Sequence, residues 1–144
     1  MAEFDNLKLD NQLCFPLYAT ARSVVNLYTP FLKPLGLTYT QYLVFLVLWE
    51  QDGISVGELC SKLYLDSGTI TPLLKKMEEK GYIERRRSHE DERVVFVYLT
   101  EEGRDLRNEA KNIPTNVGQC IHLEPDDAVC LYSLLYKILG QKNQ

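Results

Sequence analysis

The feature that most limits how this chain can fold is a change of period near residue 81. "SVGELCSKLYL" (55–65) and "DSGTITPLLKKMEEKG" (66–81) place their apolar residues at helical spacing, and "YIERRRSHEDERVVFVYLT" (82–100) abandons it. In the first segment Val56, Leu59 and Leu63 share a face behind Ser55, an N-cap residue with Glu58 three positions on. In the second, Asp66 or Ser67 can cap, and Ile70, Leu73, Leu74 and Met77 form the apolar face. Gly81 suits the left-handed closing position, and Pro72 fits only if it lies in the first turn or so. The third segment sets β-branched and aromatic residues on both sides of a charged middle. It reads as a hairpin, "YIERRR" and "RVVFVYLT" around a "SHEDE" tip.

Two short helices followed by a charged hairpin is the pattern of a winged helix-turn-helix. In that fold the second helix enters the major groove and the hairpin tip reaches sugar-phosphate. The expected recognition helix opens with Ser67, Gly68, Thr69 and Thr71, small or hydroxyl-bearing residues that reach phosphates and base edges and let the backbone approach. Lys75 and Lys76 follow one or two turns later. On the wing, Arg85, Arg86 and Arg87 occupy the outgoing strand. Asp91 is placed to orient Arg93 by a charge-assisted bond and present its guanidinium to the minor groove. By itself the first stretch is equally a capped surface helix and the second an exposed loop of self-neutralising charge. Their succession favours DNA.

Net charge is −4, which taken whole argues against nucleic acid. Its distribution argues otherwise: residues 62–94 balance at +1 and the remainder at −5. Screening beyond ~10 Å at 0.1 M salt hides the distant acids from a phosphate near the basic clusters.

The flanks are helical. Residues 11–29 carry Leu13, Leu17, Val24, Leu27 and Tyr28 at helical spacing, and "TPFLKPLGLTYTQ" is expected to break that helix with two prolines and a glycine. "TYTQYLVFLVLWEQ" reads as a buried helix capped by Thr38 or Thr40, with Gln41 near the capping-box position, and Asp52-Gly53 ends it. After the hairpin, Thr100 starts a charged helix to about Asn112, with Pro114 expected to kink the chain. A last helix spans about Glu124–Leu139 with Asp126 and Asp127 at its N-terminal end. No repeat, low-complexity segment or linker interrupts the 144 residues, which predicts one mainly α domain with a β-hairpin wing. No run approaches the roughly 20 apolar residues of a membrane span, and the N-terminus lacks a signal-peptide pattern. A cytoplasmic protein is expected, in which four cysteines do not imply structural disulfides.

Cys60, in "ELCSKL", and Cys130, in "AVCLYSLL", read as buried small hydrophobes. Cys14 lies near a helix start, where the partial positive charge favours thiolate. Tyr18 is four residues on, on the same face. Tyr28 returns nearly to that face after fourteen residues but about 21 Å away, so it can meet Cys14 only from an antiparallel partner chain. Cys120 and His122 form a Cys-x-His fragment, too few ligands for a structural zinc site, and no metal or cofactor is expected.

"LDNQLCFPLY", "LTYTQYLVFLVLW" and "LYLDSGTITPLLKKMEEKGYIERRRSHEDERVVFVYLTEEG" together resemble the MarR family of winged-helix repressors, specifically the OhrR subgroup that senses organic hydroperoxides. The likeness is close over about residues 8–113 and looser beyond. It implies an intertwined homodimer, with residues 8–30 and 101–144 as dimerisation helices and 38–100 as the DNA-binding part, on a pseudo-palindromic double-stranded operator. It implies that Cys14 is oxidised by organic hydroperoxide, that Tyr28 and Tyr39 of the partner hydrogen-bond its thiol, and that Tyr18 lies nearby. Ser67, Thr69 and Thr71 match the recognition-helix start, and Asp91 and Arg93 the wing pair. Cys120 lies where two-cysteine members carry the thiol that forms an intersubunit disulfide with Cys14. Pro16 departs from the family pattern and bears on where the first helix starts. The resemblance implies a repressor and not an enzyme. The alternatives are release by a small aromatic ligand in the dimer cleft, with Cys14 incidental, or a thiol peroxidase.

Overall fold

Helix α1 runs Cys14–Leu32 in a computed structural model that describes residues 2–140. Cys14 is its first residue, so Pro16 falls at the third position, where the backbone has no intrahelical acceptor to lose. The start of the helix is therefore compatible with the proline. Pro30 does not end the helix as the sequence pattern suggests. It lies in the last turn, forfeits only the bond toward the Asn26 carbonyl, and the chain continues to Leu32 and a short 3-10 turn at Lys33–Leu35. The reversal is made by Gly36, whose φ of 69° is left-handed.

Helix α2 (Tyr39–Glu50) starts at the expected capping box. Thr38 accepts from the Gln41 backbone N–H at 3.2 Å, and Gln41 Oε1 accepts from the Thr38 N–H at 3.1 Å. Its middle is buried, with Tyr42, Val44, Phe45 and Leu48 all at most 2% exposed. Asp52-Gly53 then turns the chain into a two-residue strand, β1 (Ile54–Ser55), that the sequence pattern did not announce. Gly53 has a φ of 72°, and an added Cβ would stand 2.8 Å from Tyr98 Cε1, so both conformation and space demand glycine.

Ser55 caps α3 (Val56–Leu63) and Asp66 caps α4 (Ser67–Glu79). Pro72 is the sixth residue of α4, one turn later than expected, and is tolerated inside the helix. Gly81, with φ 82°, leads into β2 (Ile83–Arg87), which pairs with β3 (Val95–Leu99) from Ile83↔Leu99 to Arg87↔Val95. The sheet is antiparallel in the order β1-β3-β2. Ile54, Leu59, Ile70, Leu74, Met77, Ile83 and Val97 join Phe45 in one core, so the sheet and α2–α4 fix the attitude of α4.

The expected helix after Thr100 is broken into α5 (Glu101–Asp105) and α6 (Arg107–Ala110). Thr100 links this region to the wing, donating its hydroxyl to the Gly81 carbonyl at 2.6 Å and accepting from the Gly103 N–H at 3.1 Å. Pro114 does not kink a continuing helix. It is the second residue of a new one, α7 (Ile113–Gly118), where proline is preorganised. Helix α8 (Pro125–Ile138) follows, close to the expected bounds. The chain divides into two units, Met1–Ile113 and Pro114–Gln144. Among the described residues no single helix is long and apolar enough to cross a membrane.

Candidate functional site

The first turn of α4 is shaped by Asp66, whose Oδ1 accepts from the Thr69 N–H at 2.8 Å. That backbone bond, reinforced by the Thr69 side chain, holds the Asp66 carboxyl below the usual carboxylate range. Ile70, Leu74 and Met77 are buried beneath the helix. Their burial leaves Ser67, Gly68, Thr69, Thr71, Lys75 and Lys76 exposed on its other faces, as a recognition helix requires.

The wing tip is built by short polar bonds. Ser88 N–H donates to the Val94 carbonyl at 2.8 Å, Ser88 Oγ accepts from the Glu90 and Asp91 N–H groups, and Arg87 Nη1 donates to the Glu92 carbonyl at 2.8 Å. Asp91 takes both Nε and Nη2 of Arg93 at 3.1 Å, and the Arg93 backbone N–H at 3.0 Å. The Arg93 side-chain bond is the main reason the Asp91 carboxyl titrates below its ordinary range. The Arg93 side chain is 90% exposed, so the pair presents a fixed cation to solvent. Ser67 and Thr71 face Arg85, Arg87 and Arg93 across one groove, which brings the helix start and the wing together.

The three consecutive arginines have different surroundings, because alternate strand residues face opposite sides. Arg85 points back toward α4 and forks onto Glu78, with Nε at 3.1 Å and Nη2 at 3.0 Å from Oε1. Its backbone N–H donates to Glu78 Oε2 at 2.9 Å. Arg86 is on the other side, paired with Glu84 at 2.7 Å and lying 4.6 Å from the Tyr98 ring centroid. Arg87 braces the tip.

Cys60 is not buried as its neighbours suggest. It is half-exposed on the groove between α3, α4 and the wing, and desolvation, then the nearby Asp66 charge, pushes its thiol pKa up. Cys130 is exposed on α8, also against expectation, because in a single chain α8 has no buried face. Cys120 is exposed, with its thiol donating to the Asn116 carbonyl at 3.5 Å. Cys14 is exposed in the first turn of α1, and Tyr18 is exposed with Arg22 5.6 Å from its ring centre.

Tyr28 and Tyr39, paired by the resemblance, do meet: their rings are 4.7 Å apart. Tyr42 completes the cluster at 5.6 Å from Tyr28, a member that sequence reasoning missed although its i+3 spacing from Tyr39 signalled a shared face. Burial raises all three phenol pKa values, that of Tyr42 to about 12. At neutral pH they are hydrogen-bond donors. Glu78, the other omission, lacked any local signal because its partner is across a turn.

Residues 26–110 match the family described as Transcriptional regulator SarA/Rot. The organic hydroperoxide resistance transcriptional regulator of Bacillus subtilis is 46% identical over 142 residues, 99% of this chain and 97% of that protein. Overoxidized AbfR bound to DNA has 31% identity and a TM-score of 0.78, covering 97% of this chain and 98% of its own. Disulfide-formed AbfR, from the same Staphylococcus epidermidis protein, has 32% identity and a TM-score of 0.66 over 94% and 95%. With its whole winged-helix part matched and a relative similar over nearly its full length, the chain belongs to the MarR-type winged-helix transcriptional regulators, in the organic hydroperoxide resistance group, and is not an enzyme.

Proposed function

We propose that two copies of this chain form a cytoplasmic repressor that binds a pseudo-palindromic operator when reduced and leaves it when Cys14 is oxidised by an organic hydroperoxide. One observation carries the reading: Cys14 is exposed at one end of α1, and the tyrosines able to serve its sulfur cluster around Tyr28, about 21 Å along the same helix. Only a second chain can bring them together. The apolar surface supports that second chain. Leu13 is 82% exposed on α1, and Val129 and Ile138 are 68% and 66% exposed on α8. Exposed apolar residues of this extent mark an association surface. The dimer assigned here uses α1 and the helices after residue 101, and each copy offers residues 38–100 to one half-site. The half-sites are expected one helical turn apart, ~34–36 Å.

In the reaction the Cys14 thiolate attacks the terminal peroxide oxygen. The O–O bond breaks, an S–O bond forms, and the alkoxide takes a proton to leave as the alcohol, giving sulfenic acid. Unionised Tyr28 and Tyr39 of the partner donate hydrogen bonds that favour thiolate over thiol, and buried Tyr42 packs behind their rings. Cys120 of the other chain then attacks the sulfenic sulfur, forming the disulfide and releasing water. A disulfide needs Cα atoms within roughly 7 Å, a constraint able to displace the winged parts from their half-sites. The likeness to AbfR supports the disulfide as the releasing step, since that protein is found on DNA in an overoxidized state and separately in a disulfide form. On the DNA side the contacts are Ser67, Gly68, Thr69, Thr71, Lys75 and Lys76 in the major groove and Arg93, held by Asp91, at the wing.

A second reading, release by a small aromatic ligand, draws on an open cleft lined by Val25, Leu32, Lys33, Leu37 and Tyr39. The test treats wild type and Cys14→Ser, both bound to operator DNA, with an organic hydroperoxide. Release of wild type alone supports the thiol reading. Release of both removes Cys14 as the sensor, and release of neither, with an aromatic carboxylate active instead, selects the second.

A further inference from the structure

We infer that Glu78 and Arg85 form a brace that sets the distance between the recognition helix and the wing, so that Arg85 acts on DNA binding through Arg93 and does not itself touch DNA. The inference rests on the proposed role of Arg93 at the wing.

The geometry is specific. Glu78 is in the last turn of α4, and Arg85 is the middle residue of β2. One carboxylate takes three hydrogen bonds from one residue: the backbone N–H at 2.9 Å, Nε at 3.1 Å and Nη2 at 3.0 Å. A guanidinium forked onto a carboxylate fixes direction as well as distance, and the added backbone bond ties the strand itself, not merely a mobile side chain. The Arg85 side chain lies on the same face of β2 as Ile83, two residues earlier, which is buried in the core. The Arg85 backbone bond is also the first cause holding the Glu78 carboxyl below its ordinary range, so the brace is charged at neutral pH.

What the brace controls follows from the wing's own stiffness. Beyond Arg85 the strand pairs with β3 through Arg86↔Phe96 and Arg87↔Val95, and the tip is locked by Ser88, Arg87 and Asp91. A strand anchored at Arg85 therefore carries Arg93 as a rigid extension. The turn between α4 and β2 is held by the Gly81 N–H on the Glu78 carbonyl and the Tyr82 N–H on the Met77 carbonyl, both at 3.0 Å, and by the Thr100 hydroxyl on the Gly81 carbonyl at 2.6 Å; the Glu78–Arg85 pair adds a polar link farther along β2, toward the tip that carries Arg93 opposite Ser67 and Thr71. Arg85 and Arg87 both line the groove beside Arg93, yet the Arg85 guanidinium is engaged with Glu78.

The sign of one substitution separates the two roles. If Arg85 were a phosphate contact restrained by Glu78, Glu78→Gln would remove a negative charge, free the arginine and tighten operator binding. If the pair is a brace, Glu78→Gln weakens binding although the protein has become less acidic. The experiment measures operator affinity of the reduced protein at one salt concentration for Glu78→Gln, Arg85→Gln and Arg93→Ala, and for each brace variant combined with Arg93→Ala. Thermal unfolding is used to choose a temperature at which every variant is folded. Expected are losses of about tenfold for either brace variant, the scale of one misplaced arginine contact, and no further loss when they are added to Arg93→Ala. Exchanging the pair, Glu78→Arg with Arg85→Glu, should recover part of the affinity that either change alone removes. Tighter or unchanged binding by Glu78→Gln overturns the brace, as does an Arg85→Gln loss that persists in full beside Arg93→Ala. Wild-type affinity in Arg93→Ala alone overturns the wing reading beneath it, a distinct result.

Discussion

Helix propensity alone predicts that alanine at Gly103, in α5, stabilises the protein by about 0.5–1 kcal/mol. The structure predicts the opposite sign. A Cβ at Gly103 would fall on the Tyr82 carbonyl, 3.1 Å from its carbon and 3.2 Å from Leu99 Cδ2. The Tyr82 carbonyl is backbone and already accepts from the Thr100 N–H at 3.0 Å, so it cannot swing aside as a side chain would. Helix α5 must move instead, at the roughly 1–3 kcal/mol of an overpacked site. That movement strains two bonds made by Gly103 itself, its carbonyl accepting from Trp49 Nε1 at 2.9 Å and its N–H donating to Thr100 Oγ1 at 3.1 Å. Each contributes about 0.5–1.5 kcal/mol net. Less the propensity gain, Gly103→Ala should destabilise by about 1–5 kcal/mol, the upper end applying if both bonds are lost. Gly118, at the end of α7 with nothing within 4 Å of its would-be Cβ, is the control, and Gly118→Ala should be neutral or slightly stabilising. Urea unfolding of the reduced protein at one fixed concentration measures both, because the proposed dimer would make apparent stability concentration-dependent. A Gly103→Ala protein as stable as wild type would refute the reasoning.

Thr38→Ala removes the hydroxyl that accepts from the Gln41 N–H, keeps the backbone N–H that donates to Gln41 Oε1, and should cost about 1 kcal/mol in unfolding free energy; no loss would mean that solvent replaces the hydroxyl. Cys60, half-buried with its thiol pKa raised, should be alkylated at neutral pH more slowly than exposed Cys14, as mass spectrometry of partly labelled protein would show. Equal rates would contradict its placement. For the tyrosine cluster the pKa shifts are upward, so the folded state favours neutral phenols. The associated stability is full below the unfolded value near 10 and is lost as pH rises toward about 12 at Tyr42. Phenolate absorbance should show late-titrating groups that Tyr42→Phe reduces; all nine tyrosines ionising together near 10 would dispose of the cluster.

Features that are local in the chain were legible in the sequence. Thr38 with Gln41, Ser55, Asp66 and Thr100 cap their helices because a side chain meets an amide three residues on, a geometry that spacing alone encodes. The hairpin was legible because its alternation differs so plainly from the helices before it. Strand β1 was not, since two residues carry no period and Ile54 is a strand only by pairing with Val97. Pro30 misled because the rule against proline in helices weakens where only one late bond is lost. Of the candidate site, Ser67 and Arg93 were named from pattern, while the groove between them is visible only in the fold. The separate fates of Arg85, Arg86 and Arg87 did not, because composition reports charge and only the fold reports which charge is engaged. Cys130 illustrates the same limit. An apolar neighbourhood on α8 was read as burial, and in one chain it is an exposed face.

The central claim is that oxidation joins Cys14 of one chain to Cys120 of another and thereby releases DNA. The most direct measurement titrates operator-bound protein with an organic hydroperoxide while following, in the same samples, DNA release and the disulfide-linked peptide pair by mass spectrometry. The account predicts that release and the Cys14–Cys120 peptide rise together, that Cys120→Ser forms sulfenic acid yet stays bound, and that a thiol reductant restores binding. Release that precedes any disulfide, or a crosslink through Cys60 or Cys130 in its place, would contradict it.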